Sequence, residues 1–154
     1  MLGQAIELSP NSRLIASGNP EYGCLEIWNW RDGFRKIFRA SEKSINDIRF
    51  SPDGRYIAVS LQGPEVLICN VRTGQLVRKL MGDYENLCVA FMPDGKSLLT
   101  GSINTVKCWD ISFLDSGSQM KAMGTGTANE IFPRELEVRC FCVLSAYGNS
   151  ITRM

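Results

Sequence analysis

A chain of 154 residues that is 44% hydrophobic and 21% charged has the size and make-up of one globular domain, which excludes wholesale disorder. Its 17 Lys and Arg against 16 Asp and Glu leave a formal charge of +1, too little for a general footprint on phosphate backbones or anionic membranes. There is no histidine, so Ser-His-Asp and Cys-His nucleophile activation and every His-containing zinc site are excluded, since each needs an imidazole.

The chain opens with MLGQAIELSP (1–10), which has neither the basic start nor the apolar core of a secretory signal, and no Asn-x-Ser/Thr acceptor follows. No apolar run approaches the ~20 residues of a membrane helix. These features lead us to expect a soluble intracellular protein of cytoplasm or nucleus. The six cysteines (Cys24, Cys69, Cys88, Cys108, Cys140, Cys142) form no C-x-x-C pair, and five of them fall in expected strands. They are read as reduced thiols behaving as small hydrophobes.

Three segments repeat in register: AIELSPNSRLIASG (5–18), DIRFSPDGRYIAVS (47–60) and VAFMPDGKSLLTG (89–101). Their prolines, Pro10, Pro52 and Pro93, are 42 and 41 residues apart. A second landmark follows each segment, with CLEIWN, EVLICN and TVKCWD ending at Asn29, Asn70 and Asp110, spaced by 41 and 40 residues. Two landmarks sharing one period identify a true repeat. Inside each unit, short alternating apolar runs predict strands, with Ile48 and Phe50 on one face and Asp47 and Arg49 on the other. SPDG (51–54) and MPDG (92–95) supply the fixed φ, side-chain acceptor and permissive backbone of a hairpin turn. A second reversal comes at WRDGF (30–34) and VRTGQ (71–75), before fourth strands in FRKIFR (34–39) and QLVRKL (75–80).

Four short antiparallel strands per unit of about 41 residues, closed by Trp109-Asp110, resemble the WD-repeat β-propeller family. The resemblance covers residues 5–111 and implies an all-β fold: an open partial propeller of three four-stranded antiparallel blades and the start of a fourth. The expected divisions are blade 1 over 1–40, blade 2 over 41–81, and the first three strands of blade 3 over 82–111. An inserted loop rich in Ser, Gly and Thr is expected over 112–134. The opening of an incomplete blade 4 is expected over 135–154, where Val138, Cys140, Cys142 and Leu144 alternate and LSAYGNSI (144–151) parallels FSPDGRYI (50–57). Such an arc is expected to have uncapped ends and to be closed by further blades or another chain.

The blades depart from the family pattern. The Gly-His pair that the resemblance implies is replaced by Gly82-Asp83 before blade 3, Cys69 stands in the second blade's Trp position, and Val59 stands where blades 1 and 3 carry Ser17 and Thr100. The buried His-Ser/Thr-Asp-Trp network is therefore incomplete in every blade. Trp28, Trp30 and Trp109 are expected to pack in blade cores.

In such folds partners meet the loops that enter first strands and join second to third strands. Here these are NPEYG (19–23), SEKS (41–44), LQGP (61–64), GDYEN (82–86) and Ile103-Asn104. Tyr22 and Tyr84 are the expected aromatic anchors, with Glu21, Lys43, Gln62, Asp83, Glu85 and Asn104 adding polar specificity. Arg31, Arg35, Lys36 and Arg39, echoed by Arg78 and Lys79, are read as charges that protect an outer edge strand.

The expected function is non-catalytic protein binding, with no cofactor or metal, no direct nucleic-acid binding and no membrane. TGQLVRKLMG (73–82) with the following blade resembles late blades of fungal Tup and Groucho-type transcriptional corepressors. FSPDGRYIAV also resembles propellers that gate serine peptidases, and a truncated product without independent function is a third reading.

Overall fold

The turn Ser51-Pro52-Asp53-Gly54 shows how each hairpin is nucleated. Ser51 Oγ accepts the Tyr56 N–H at 2.9 Å and donates to Asp53 Oδ1 at 2.6 Å. The same carboxylate oxygen accepts the Arg55 N–H at 3.0 Å, and Gly54 takes the left-handed φ of 70° that closes the reversal. Ser9 and Asn11 reproduce this pattern in the first repeat. There Ser12 holds the left-handed position at φ 55°.

These turns join strands in a computed structural model that describes residues 5–19, 23–82, 84–103, 105–112, 114 and the backbone of 122–126. Blade 1 holds β1 (Ala5–Leu8), β2 (Leu14–Gly18), β3 (Cys24–Asn29) and β4 (Arg35–Arg39). Blade 2 holds β5 (Ile45–Phe50), β6 (Tyr56–Leu61), β7 (Glu65–Asn70) and β8 (Leu76–Met81). Blade 3 holds β9 (Cys88–Phe91), β10 (Ser97–Gly101), β11 (Val106–Asp110) and β12 (Ala122–Gly126). Each blade is a four-stranded antiparallel meander in chain order, and the described residues contain no helix. Over the described residues the fold is all-β and unclosed, an arc of propeller blades.

One expectation is corrected by β12. Residues 122–126 lie inside the stretch read as an inserted loop, yet they pair with β11 as the fourth strand of blade 3, with Val106 opposite Gly126 and Trp109 opposite Ala122. AMGTG carries no apolar alternation, so pairing to the free edge of β11 forms this strand without a side-chain pattern announcing it. The expected opening of blade 4 over 135–154 lies outside the described residues.

The core sits between blades, with β6 dividing it. Ile57, Val59 and Leu61 join Leu67 and Cys69 in packing against Ala16, Leu25 and Ile27 of blade 1. Tyr56 and Ala58 join Val66 and Ile68 against Leu98 and Trp109 of blade 3. All six residues of β6 are consequently buried, whereas β4, the outer strand of blade 1, alternates between half-buried and exposed. Strands alternate their side chains between faces, and a strand sandwiched between two blades must be apolar on both.

Trp28 and Trp30 part from the expected core placement. On the face of blade 1 turned away from blade 2, Leu8, Ile15, Trp28 and Arg35 form one cross-strand row, and Ile6, Ser17, Glu26 and Ile37 form the next. No described element covers this face, so Trp28 is 42% exposed and its indole N–H bonds Glu26 at 3.0 Å. Trp30 is 54% exposed, donating to the Ser12 carbonyl and lying under Arg31. Trp109, in the same repeat position as Trp28, is buried because blade 2 lies against it, and its indole N–H bonds Thr100 Oγ1 at 3.0 Å.

Carboxylates tie neighbouring blades along their first strands. Glu7 of β1 accepts the Phe50 N–H of β5 at 3.0 Å, and Asp47 of β5 accepts the Val89 N–H of β9 at 3.1 Å. Arg49 lies between them, donating to Asp47 at 2.7 Å. Burial raises the pKa of both acids, that of Glu7 to about 7, against the opposing pull of Arg49 and the backbone hydrogen bonds. Cys24, Cys69, Cys88 and Cys108 stand in strands outside any disulfide, and burial pushes Cys69 up to about 11. A thiol at that value is protonated and unreactive at neutral pH.

Candidate partner-binding face

Antiparallel order sends the loops before first strands and those between second and third strands to one end of the blades. At that end the structure joins three of the loops singled out in the sequence. The Gln62 N–H bonds the Ser44 carbonyl at 2.8 Å, linking the loop before β5 to the β6–β7 loop. Gly82 and Asn86 donate backbone N–H groups to the Pro64 and Gly63 carbonyls at 2.7 and 3.0 Å, which docks the loop before β9 onto the same β6–β7 loop. Asn46 completes the seam, its side-chain amide donating to the Asn86 carbonyl at 2.9 Å and to Glu85 at 3.3 Å.

The candidate side chains play unequal parts on this frame. Lys43 is bound to Glu65 at 2.8 Å, and Lys79 reaches the other oxygen of the same carboxylate. The hydrogen bond from Lys43, followed by that from Lys79, holds Glu65 below the usual carboxylate range. Lys43 is thus held by an intramolecular pair while remaining part-exposed. Gln62 presents its side chain to solvent while its backbone is fixed. Glu85 is exposed and steadied by Asn46. Tyr84 is 68% exposed beside it, and Ile103 of the β10–β11 loop is 56% exposed at the same end. Glu21, Tyr22, Asp83 and Asn104 lie outside the described residues.

Sequence reasoning missed Asn46, Glu65 and Lys79, which organise the face. Glu65 and Lys79 are strand residues, and nothing in a strand pattern says that Lys43 will arrive from another loop. Asn46 stands at the bulge between Ile45 and Asp47, and that irregularity turns its amide toward the next blade.

Chemically this end offers an exposed aromatic, apolar and polar side chains on a hydrogen-bonded frame. No group of three His, Cys, Asp or Glu side chains among the described residues is placed to hold a metal ion. No helix among them is long and apolar enough to cross a membrane. Stacked four-stranded meanders with such a loop end define a repeat protein of the β-propeller class. Residues 6–94 match the family model described as the Anaphase-promoting complex subunit 4 WD40 domain, and the chain belongs to that WD40 family.

Among curated proteins, the chain is 29% identical over 119 residues to the Poly(A)+ RNA export protein of Schizosaccharomyces pombe, covering 75% of this chain and 30% of that protein. It is 34% identical over 77 residues to the human Intraflagellar transport protein 122 homolog, covering 49% of this chain and 6% of that protein. An uncharacterised WD repeat-containing protein of S. pombe is 36% identical over 73 residues, covering 47% of this chain and 18% of that protein. The chain spans less than a third of the length of each of these relatives.

Proposed function

We propose that this chain is a non-catalytic scaffold that binds other proteins or peptides through the loop end, with Tyr84 as anchor and Lys43, Gln62 and Glu85 around it. Glu21, Tyr22, Asp83 and Asn104 belong to the same proposed set by their places in these loops. The observation that carries the reading is Tyr84: a large aromatic left 68% exposed on a loop whose neighbours Gly82 and Asn86 are bonded into blade 2. A preorganised aromatic of this kind binds without a large ordering cost.

Membership in a WD40 family supports a scaffold in general. Relatives named for RNA export and for intraflagellar transport support an intracellular setting and proteins as partners. The narrower reading as part of a transcriptional corepressor rests on TGQLVRKLMG and the blade after it. The bare face of blade 1, with Ile6, Leu8 and Trp28 exposed, supports the further reading that another blade, from the same polypeptide or a second chain, covers it.

The test is capture of cellular proteins on the immobilised chain and on Tyr84→Ala. The substitution removes an exposed side chain, so the unfolding free energy in urea is expected to stay within ~0.5 kcal/mol of wild type while the captured set is lost. An unchanged captured set overturns the assignment of this face.

A further inference from the structure

At the end of the blades opposite the loop face, a cleft of about 630 Å³ opens between blades 1 and 2. Its floor is apolar, reaching down to Ile27 and Leu14 of blade 1, with Phe34 standing 58% exposed on one wall. Its rim is basic: Lys36 from β4, Arg55 from the β5–β6 turn and Arg72 from the β7–β8 turn. No carboxylate among the described residues lines it.

Two of the three cations, Lys36 and Arg55, are held in place. Lys36 Nζ donates to the Arg72 carbonyl at 2.5 Å across the blade boundary. Arg55 is steadied by Asp53 at 2.7 Å and by the face of Tyr56, and its carbonyl accepts the Val71 N–H that anchors the neighbouring turn. Arg72 is exposed and makes no ion pair with a carboxylate among the described residues. The cleft at the next blade boundary differs in the features that matter. It is smaller, about 260 Å³, and is lined by Asp53 and Asp94 as well as Arg55 and Lys96, so its charge is balanced.

We propose that the cleft between blades 1 and 2 is a second binding site, for an extended acidic peptide that seats an apolar side chain on Ile27, Leu14 and Phe34 between carboxylates that meet Lys36 and Arg72. Charge and shape select this occupant. A volume in the ~300–1,000 Å³ range suits a few peptide residues rather than a folded surface. The apolar floor is wasted on a phosphate backbone, and a chain of formal charge +1 lacks the wider field that nucleic-acid binding uses. Arg72 supplies the planar fork that carboxylates meet in bidentate fashion. The site shares no residue with the loop face, so the two stand or fall separately.

The probe is a fluorescein-labelled peptide, Gly-Asp-Glu-Leu-Asp-Glu-Gly, titrated with the whole chain and read by fluorescence anisotropy. Binding is expected to saturate and to weaken as salt rises from about 50 to 200 mM. Arg72→Glu and Phe34→Ala should each weaken it about 10-fold or more, because one reverses a rim charge and the other removes an apolar wall. Both side chains are exposed, so circular dichroism is expected to match wild type; Tyr84→Ala should bind the peptide as wild type does. The proposal is overturned if Arg72→Glu binds as well as wild type, or if a peptide with lysines in place of its acids binds equally. Tighter binding by a dT oligonucleotide of equal charge would also overturn it.

Discussion

Thr100 and Trp109 form a single polar pair where the WD-repeat resemblance implies a larger network. The indole N–H reaches the Thr100 hydroxyl at 3.0 Å inside the core between blades 2 and 3, with no histidine to extend the chain of bonds. Thr100→Val keeps the shape and leaves a buried N–H without its acceptor. We expect a loss of about 1–3 kcal/mol, seen as a lower urea midpoint with an unchanged slope. The incompleteness of this network was legible in the sequence from the missing histidines and from Cys69 and Val59. Which of the surviving pieces still bonded was not. Ser17 and Trp28 stand in the corresponding places of blade 1, yet Trp28 turns its indole to Glu26 because its face is open to water.

At the scale of elements, β6 and β1 make the informative pair. Ile57 is fully buried between blades, while Leu8, on the open face of blade 1, is 57% exposed. Ile57→Ala removes a packed side chain and leaves a cavity, for which we expect about 2–5 kcal/mol of destabilisation by chemical denaturation. Leu8→Ala is expected to cost under ~1 kcal/mol in the same measurement. The turns and most strands could be read from sequence because their determinants are local: Pro, Asp and Gly at fixed offsets, and apolar residues at period two. Strand β12 could not. Its residues, AMGTG, have low strand preference, and the stretch around it carries the polarity of a loop. An available edge on β11 decided it.

Across the whole molecule, successive blades are joined by packing and by two acids, Asp47 buried and Glu7 half-buried. Glu7 bonds the backbone of blade 2 and Asp47 that of blade 3. With its folded pKa raised to about 7 from an ordinary value of 4.5, Glu7 binds more protons in the folded chain than in the unfolded one between those values. Stability from this group is therefore full at and below pH 4.5 and is lost as pH rises through 7. Glu7→Gln keeps an oxygen for the Phe50 N–H and removes the titration. Urea unfolding should show the variant more stable than wild type at pH 8 by about 1–2 kcal/mol, a figure discounted for the group's partial exposure, and near parity at pH 4.

The two ends of the blades divide the candidate functions. The loop end was expected from the resemblance, and three of its loops are bonded together there. Tyr84 was recognisable as an aromatic in a polar loop, but the frame of Asn46, Glu65 and Lys79 joins residues brought together only by stacking. The basic cleft at the other end was half visible. Lys36 was noted among edge charges, and β4 is indeed an outer strand, yet Arg55 and Arg72 belong to turns of the next repeat. Their convergence required blade 2 to dock on blade 1.

By itself the sequence determined the period, the turns, most of the strands and the absence of imidazole chemistry, since each depends on residues close together in the chain or on composition. Only the tertiary structure decided which faces are covered. Trp28 and Trp109 occupy the same repeat position in like strands, and one is exposed while the other is buried. Burial depends on the surface that lies against a strand, and that surface comes from a neighbouring repeat some forty residues away.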